Sequence, residues 1–261
     1  MNPKIRLFWI LWTAGIAGVL SFLLIDISAL ISVLPQPAGE QTELPPPAIL
    51  KLLSLIQPTV LVTIAVLVGV WLTERLGLHA PAAEALSRGD GFLSNLKPQI
   101  LPGVLSGLVS GVAIVLIWII TKPFLSPEFV TRAEGFNRLI PGAVRLLYGG
   151  FTEEILLRWG VMTFLVWAAW GVMQKGSGEP KPAYFIGAIL ASAVLFGIGH
   201  LPIASVLAGE LTVPLVVYVV GANSIFGIVA GFLYWKKGLE AAIIAHMSAH
   251  LVLILAIHLS F

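Results

Sequence analysis

Six ionisable side chains stand in apolar surroundings in this sequence. They are Glu153, Glu154 and Arg158 in LLYGGFTEEILLRWG, His200 in LFGIGHLP, and His246 and His250 in IIAHMSAH. Glutamate and histidine are the side chains of acid–base chemistry. At membrane depth such groups are costly to hold and usually paired, and by default they mark a functional site. Glu154 and Arg158 lie four residues apart, acid first, the order that favours an ion pair within one helix. Glu153 is rotated by about 100° from its neighbour and is left to face something else. One acid pairs with the arginine, and the other is available for chemistry. His246 and His250, also four apart, share a helix face and can address a common point. Asp26 in the first apolar run is a seventh candidate, with a satisfied polar packing residue as the plainer reading. His79 and His258 read as interfacial.

The elements that carry these residues follow from composition. Of 261 residues, 58% are hydrophobic and only 11% charged, with a mean hydropathy of +0.98. A soluble domain carries about 25% charged residues, so lipid must be the solvent for much of this chain. A net charge of +2 gives no reason to expect a nucleic-acid partner. The absence of cysteine excludes a disulfide framework, a thiolate metal site and a cysteine nucleophile.

Apolar runs at 7–33, 54–73, 101–121, about 140–173, 183–200, about 211–235 and 239–259 each approach or exceed the roughly 20 residues that cross a bilayer as a helix. The expected fold is all-α: one polytopic membrane helix bundle over residues 1–261, of seven transmembrane helices, with eight as the next count. Pro141 and Gly149-Gly150 are break points in the fourth run, and Pro214 and Gly221 in the sixth. Residues 35–50 are proline-rich and read as extended or turning, residues 122–138 as a mixed-charge loop, and residues 174–182 as a polar turn.

The first run is too long for a signal peptide and reads as a retained helix. An N-terminus in the cytoplasm puts nine loop lysines and arginines on the cytoplasmic side against four or five opposite, Arg145 being ambiguous. Gly103, Gly107 and Gly111, and Gly227 with Gly231, recur every four residues and read as helix-packing stripes. The order Gly107-Leu-Val-Ser110-Gly111 is a poor match to the Gly-x-Ser-Gly of a rhomboid-type serine protease.

The three polar clusters carry a family resemblance. Glu153-Glu154-Ile-Leu-Leu-Arg158, Phe196-Gly-Ile-Gly-His200 and His246-Met-Ser-Ala-His250 resemble, in order and spacing, the motifs of the CPBP family of intramembrane proteases. That family includes CAAX prenyl endopeptidases and bacteriocin-processing enzymes. The resemblance covers about residues 140–255, which it marks as the catalytic core; the first three helices match only in hydrophobic character. One position departs: the family usually has Asn or Asp where this chain has His250.

The resemblance implies an intramembrane endopeptidase acting on a membrane-associated substrate, of the prenylated CAAX or leader-peptide type. Glu153 would activate water, His200 would hold that water or shuttle its proton, and His246 with His250 would aim donors at the oxyanion. No cofactor is certain. The alternative chemistry places Zn²⁺ on His200, His246 and His250 with a glutamate, and histidine at 250 keeps that route open. Membrane lipid and a peptide or protein substrate are the expected partners, and the expected location is a prokaryotic inner membrane. The rival function is a catalytically inactive scaffold or bacteriocin-immunity protein. A proton-coupled transporter would also bury Glu, His and Arg, but would show broken helices in two repeat halves.

Overall fold

The structure, a computed structural model, describes residues 2–34 and 45–259. Among these residues no strand forms, and seven helices are long and apolar enough to cross a membrane. The spans are Pro3–Leu24, Pro47–Leu76, Phe92–Phe124, Gly142–Gln174, Pro182–Ala208, Val213–Lys236 and Leu239–His258, referred to as spans 1 to 7. The all-α membrane bundle expected from composition is therefore the fold. Its outer surface is apolar, with Trp71, Val109, Val172 and Val217 all exposed, as a protein solvated by lipid tails requires.

Several boundaries differ from the sequence reading, each for a local reason. Span 1 stops at Leu24 although the apolar run continues to residue 33. Asp26 turns the chain there: its carboxylate accepts the Ala29 N–H at 3.0 Å and caps a separate helix, Ile27–Val33. Asp26 is thus an exposed cap and no part of the polar cluster.

Of the proline-rich linker, residues 35–44 lie outside the described residues. Residues 47–50 are helical, because Pro47 occupies a first turn where its missing N–H costs nothing. The mixed-charge segment at 122–138 is largely a helix, Pro127–Leu139, capped by the Ser126 hydroxyl, which accepts the Phe129 N–H at 3.2 Å.

The chain breaks at Pro141 as expected, but it passes through Gly149-Gly150 without interruption. Span 6 is likewise continuous: Pro214 sits in its first turn and Gly221 inside the helix. Span 5 does break. Pro202 cannot continue the hydrogen-bond ladder, so Pro182–Gly199 and Leu201–Ala208 meet at His200, which lies at the junction instead of closing the span.

The glycine stripe of span 3 sets the position of span 7. A Cβ on Gly103 would lie 2.9 Å from the Ala241 oxygen, one on Gly111 would lie 2.9 Å from the Ala249 oxygen, and one on Gly107 would run into the Ala245 oxygen. Only glycine lets these backbones approach so closely in lipid. Ala245 and Ala249 immediately precede His246 and His250, so this contact also fixes the height of both histidines.

The start of span 7 is tied down by backbone bonds. Gln99 Oε1 accepts the Ala241 N–H at 3.0 Å, Glu240 Oε1 accepts the Ala83 N–H at 2.8 Å, and the Leu239 N–H donates to the His79 oxygen at 3.0 Å. His79 itself is outside the spans and half exposed. A hydrogen bond with Glu84 holds its imidazole above the ordinary histidine range.

Span 4 packs against spans 1, 2 and 7. The Thr152 hydroxyl donates to the Gly15 oxygen of span 1 at 2.8 Å, and Trp159 fills the space left by Gly69 of span 2.

Candidate active site

Span 4 changes its helical form where its polar residues lie. Arg145–Glu153 and Ile155–Met162 are π-helical, with hydrogen bonds to the fifth residue in place of the fourth. The Thr163 hydroxyl continues that pattern by donating to the Arg158 oxygen at 3.1 Å. Such widened turns are rare and concentrate at functional sites. Here the widened turns carry Glu153 and Arg158 and flank Glu154 on both sides.

Glu154 and Arg158 form the expected pair, 3.1 Å apart and both 0% exposed. Arg158 also donates to the Gly227 oxygen of span 6 at 3.0 Å, and its guanidinium lies over Phe196 and Phe226 at 5.3 and 5.7 Å. A fully buried cation therefore has an acid, a carbonyl and two ring faces around it.

Glu154 does more than the sequence reading assigned to it. The same Oε1 that pairs with Arg158 accepts a hydrogen bond from His246 Nδ1 at 2.7 Å. An ionised carboxylate can only accept, so Nδ1 carries a hydrogen and the imidazole orientation is set. His246 Nε2 then faces Glu153, 3.6 Å from its Oε2. Donors aimed at an oxyanion from His246 thus require the imidazolium form, because in the neutral ring Nε2 has a lone pair and no hydrogen.

Glu153 is 18% exposed and lines a cavity of about 860 Å³, whose wall also includes His200, His246 and His250. The helices Ile27–Val33 and Pro127–Leu139 contribute to its outer wall. A second cavity, of about 480 Å³, beside Arg132 and Glu210 holds none of these side chains.

Phe196, the first residue of its motif, is the wedge of the site. Its ring meets His200 edge-on at 4.8 Å and His246 edge-on at 5.9 Å, beneath the Arg158 guanidinium. His200 Nδ1 donates to the Phe196 oxygen at 2.8 Å, which leaves Nε2 as its available nitrogen. His250 stacks on His246 at 4.8 Å and 18°, and its buried Nδ1 has no hydrogen-bond partner among the described residues.

Both stacked rings rest against Gly149. A Cβ there would collide with His250 Nε2 and come within 3.3 Å of His246 Nε2. Gly149→Ala is therefore expected to displace the imidazoles without opening the bundle, lowering turnover by about a hundredfold, as a misplacement near 1 Å can. Turnover measured beside the melting temperature checks this; equal activity would show that the rings tolerate the shift.

Among the described residues, no group of three or more His, Asp or Glu side chains is arranged to hold a metal ion. His200 and His246 each commit Nδ1 to a protein acceptor and have Nε2 alone to offer.

Sequence reasoning missed several residues in the same wall: Asn137, Arg145, Tyr148, Asn223 and Phe226. A lone amide in an apolar span was the available signal for Asn223. Arg145 entered the charge count only as a residue of uncertain side.

Residues 135–252 match a family model, described as Rce1-like: type II CAAX prenyl endopeptidase Rce1-like. No curated protein and no solved structure matches the chain. The matched segment begins within the helix that walls the cavity and ends just past His250, so all six polar residues fall inside it. Over that segment, just under half of the chain, the sequence is similar to the Rce1-like type II CAAX prenyl endopeptidases.

Proposed function

We propose that the protein is an intramembrane endopeptidase in which Glu153 is the general base. Its substrate is a membrane-associated peptide or protein, of the prenylated CAAX or leader-peptide type. The observation that carries this reading is the division of labour between adjacent glutamates. Glu154 is sealed between Arg158 and His246, whereas Glu153 faces the cavity beside His246.

In the reaction, Glu153 takes a proton from a water positioned with His200 and His246, and the water oxygen bonds to the scissile carbonyl carbon. His246 as imidazolium, held by Glu154, and His250 donate to the oxyanion. When the C–N bond breaks, Glu153 returns its proton to the leaving amine. The same proposal places the protein in a prokaryotic inner membrane with its N-terminus in the cytoplasm.

His250 is the test that separates this route from a zinc route. His250→Asn installs the amide usual in the family. If Glu153 is the base, turnover is expected to stay level or rise, since an amide N–H still donates to the oxyanion. If zinc is required, bound metal and turnover fall together, because amides are poor zinc ligands. Turnover of a membrane-anchored peptide and metal content of the purified variant are the two readouts. A joint fall overturns the glutamate mechanism.

A further inference from the structure

Arg145 is a cation in the wall of the active-site cavity with no anion to match it among the described residues. It lines the same cavity as Glu153, His200, His246 and His250 and is half-buried. Its Nη2 donates to the Asn137 oxygen at 2.6 Å and to Asn137 Oδ1 at 3.0 Å. Among the described residues these are its only hydrogen-bond partners, and no carboxylate lies within ion-pair distance.

The two acids that the described residues place in that wall are committed elsewhere. Glu134 pairs with Lys122 at 2.6 Å, and Glu153 stands against His246. An arginine partly buried in a cavity wall without a counter-ion is costly. Asn137 fixes one end of the guanidinium and leaves Nε and Nη1 free, a planar set of donors suited to a carboxylate.

Its position relative to the base adds a length. Arg145 precedes Glu153 by eight residues on one helix, a span of at most about 12 Å at the ~1.5 Å per residue of an α-helix and shorter in the wider π-helical turns of this segment. Extended peptide covers that distance in no more than about four residues at ~3.3 Å each. We infer that Arg145 binds the free C-terminal carboxylate of the peptide substrate and thereby directs cleavage to a bond near the substrate's C-terminus. This inference rests on reading the cavity as the substrate site.

The test uses the full chain in detergent and one leucine- and alanine-rich peptide labelled at its N-terminus, made as the free acid and as the C-terminal amide. Binding is measured to the wild type and to Glu153→Gln, so that it does not depend on turnover. The acid is expected to bind about tenfold tighter than the amide, the size of one charge-assisted contact. Arg145→Gln is expected to bring the ratio near one, with Arg145→Lys between. Both peptides are read on one preparation, so loss of folded protein cancels from the ratio.

Equal binding of acid and amide to chains that retain Arg145 overturns the assignment, as does a preference that survives Arg145→Gln. So does a preference seen only when phosphatidylglycerol is withheld and lost when it is restored, since the arginine's anion is then a lipid phosphate. Cleavage of both peptides is followed separately. A chain that prefers the acid and cleaves neither peptide retains the carboxylate site and loses the endopeptidase reading. A chain that binds and cleaves both alike retains the endopeptidase and loses the site.

Discussion

Glu153→Gln is expected to cut peptide turnover by a factor of roughly 10² to 10⁴, the range a positioned general base supplies. Glutamine has nearly the same shape but cannot take a proton from water. The fold should hold, because Glu153 is not part of the buried ion pair: Arg158 lies against Glu154, and Glu153 keeps partial access to the cavity. Changes at such positions usually shift stability by less than about 1 kcal/mol. Turnover, membrane accumulation and melting temperature should be measured on the same preparation. Loss of turnover with an unchanged melting curve supports the assignment. A biological effect that persists undiminished in the glutamine variant would replace the protease with the scaffold or immunity reading.

Arg158→Met should have the largest effect on stability. Methionine has comparable length and no charge, so the change leaves the fully buried Glu154 without its arginine partner. Removing one partner of a buried pair typically costs about 3–5 kcal/mol, and here the Gly227 carbonyl and the faces of Phe196 and Phe226 lose their partner as well. A marked drop in melting temperature and in accumulated protein is expected.

The double variant Glu154→Gln, Arg158→Met should recover part of that loss, because the stranded charge is gone. It should not recover turnover, because the amide no longer holds His246 as the carboxylate does at 2.7 Å. Stability without activity in the double variant would separate the two duties of Glu154. A single Arg158→Met variant as stable as the wild type would show that the pair is not needed to hold span 4 in place.

Much of this arrangement was legible in the amino-acid order because membrane solvation leaves few choices. In hydrocarbon every backbone group must be bonded internally, so each long apolar run is a helix, and the seven spans follow. Within one helix, spacing decides neighbours, which is why the Glu154–Arg158 pair and the shared face of His246 and His250 could be read directly. The glycine stripes were legible for the same reason: residues four apart on a helix can only be a packing face. Local signals misled where they were weak. Gly149-Gly150 resembles a break, yet the chain passes through it as a wide helical turn because the imidazoles of span 7 need the space that a missing Cβ leaves.

What the tertiary structure alone decided is which helices meet, and at what height. No spacing rule links residue 154 to residue 246, so the sharing of one Glu154 oxygen between Arg158 and His246 was not visible in the sequence. That bond exists because Gly103, Gly107 and Gly111 seat span 3 closely against span 7 and fix the level of its histidines. Arg145 illustrates the same limit. Along the chain it is one cation near a span end, and only the enclosure of the cavity by Pro127–Leu139 and spans 4, 5 and 7 shows that it lines the site with no acid of its own among the described residues. Helix formation is settled by short-range hydrogen bonds that the sequence encodes residue by residue. The site depends on contacts between helices, whose register is set by small residues far from the chemistry.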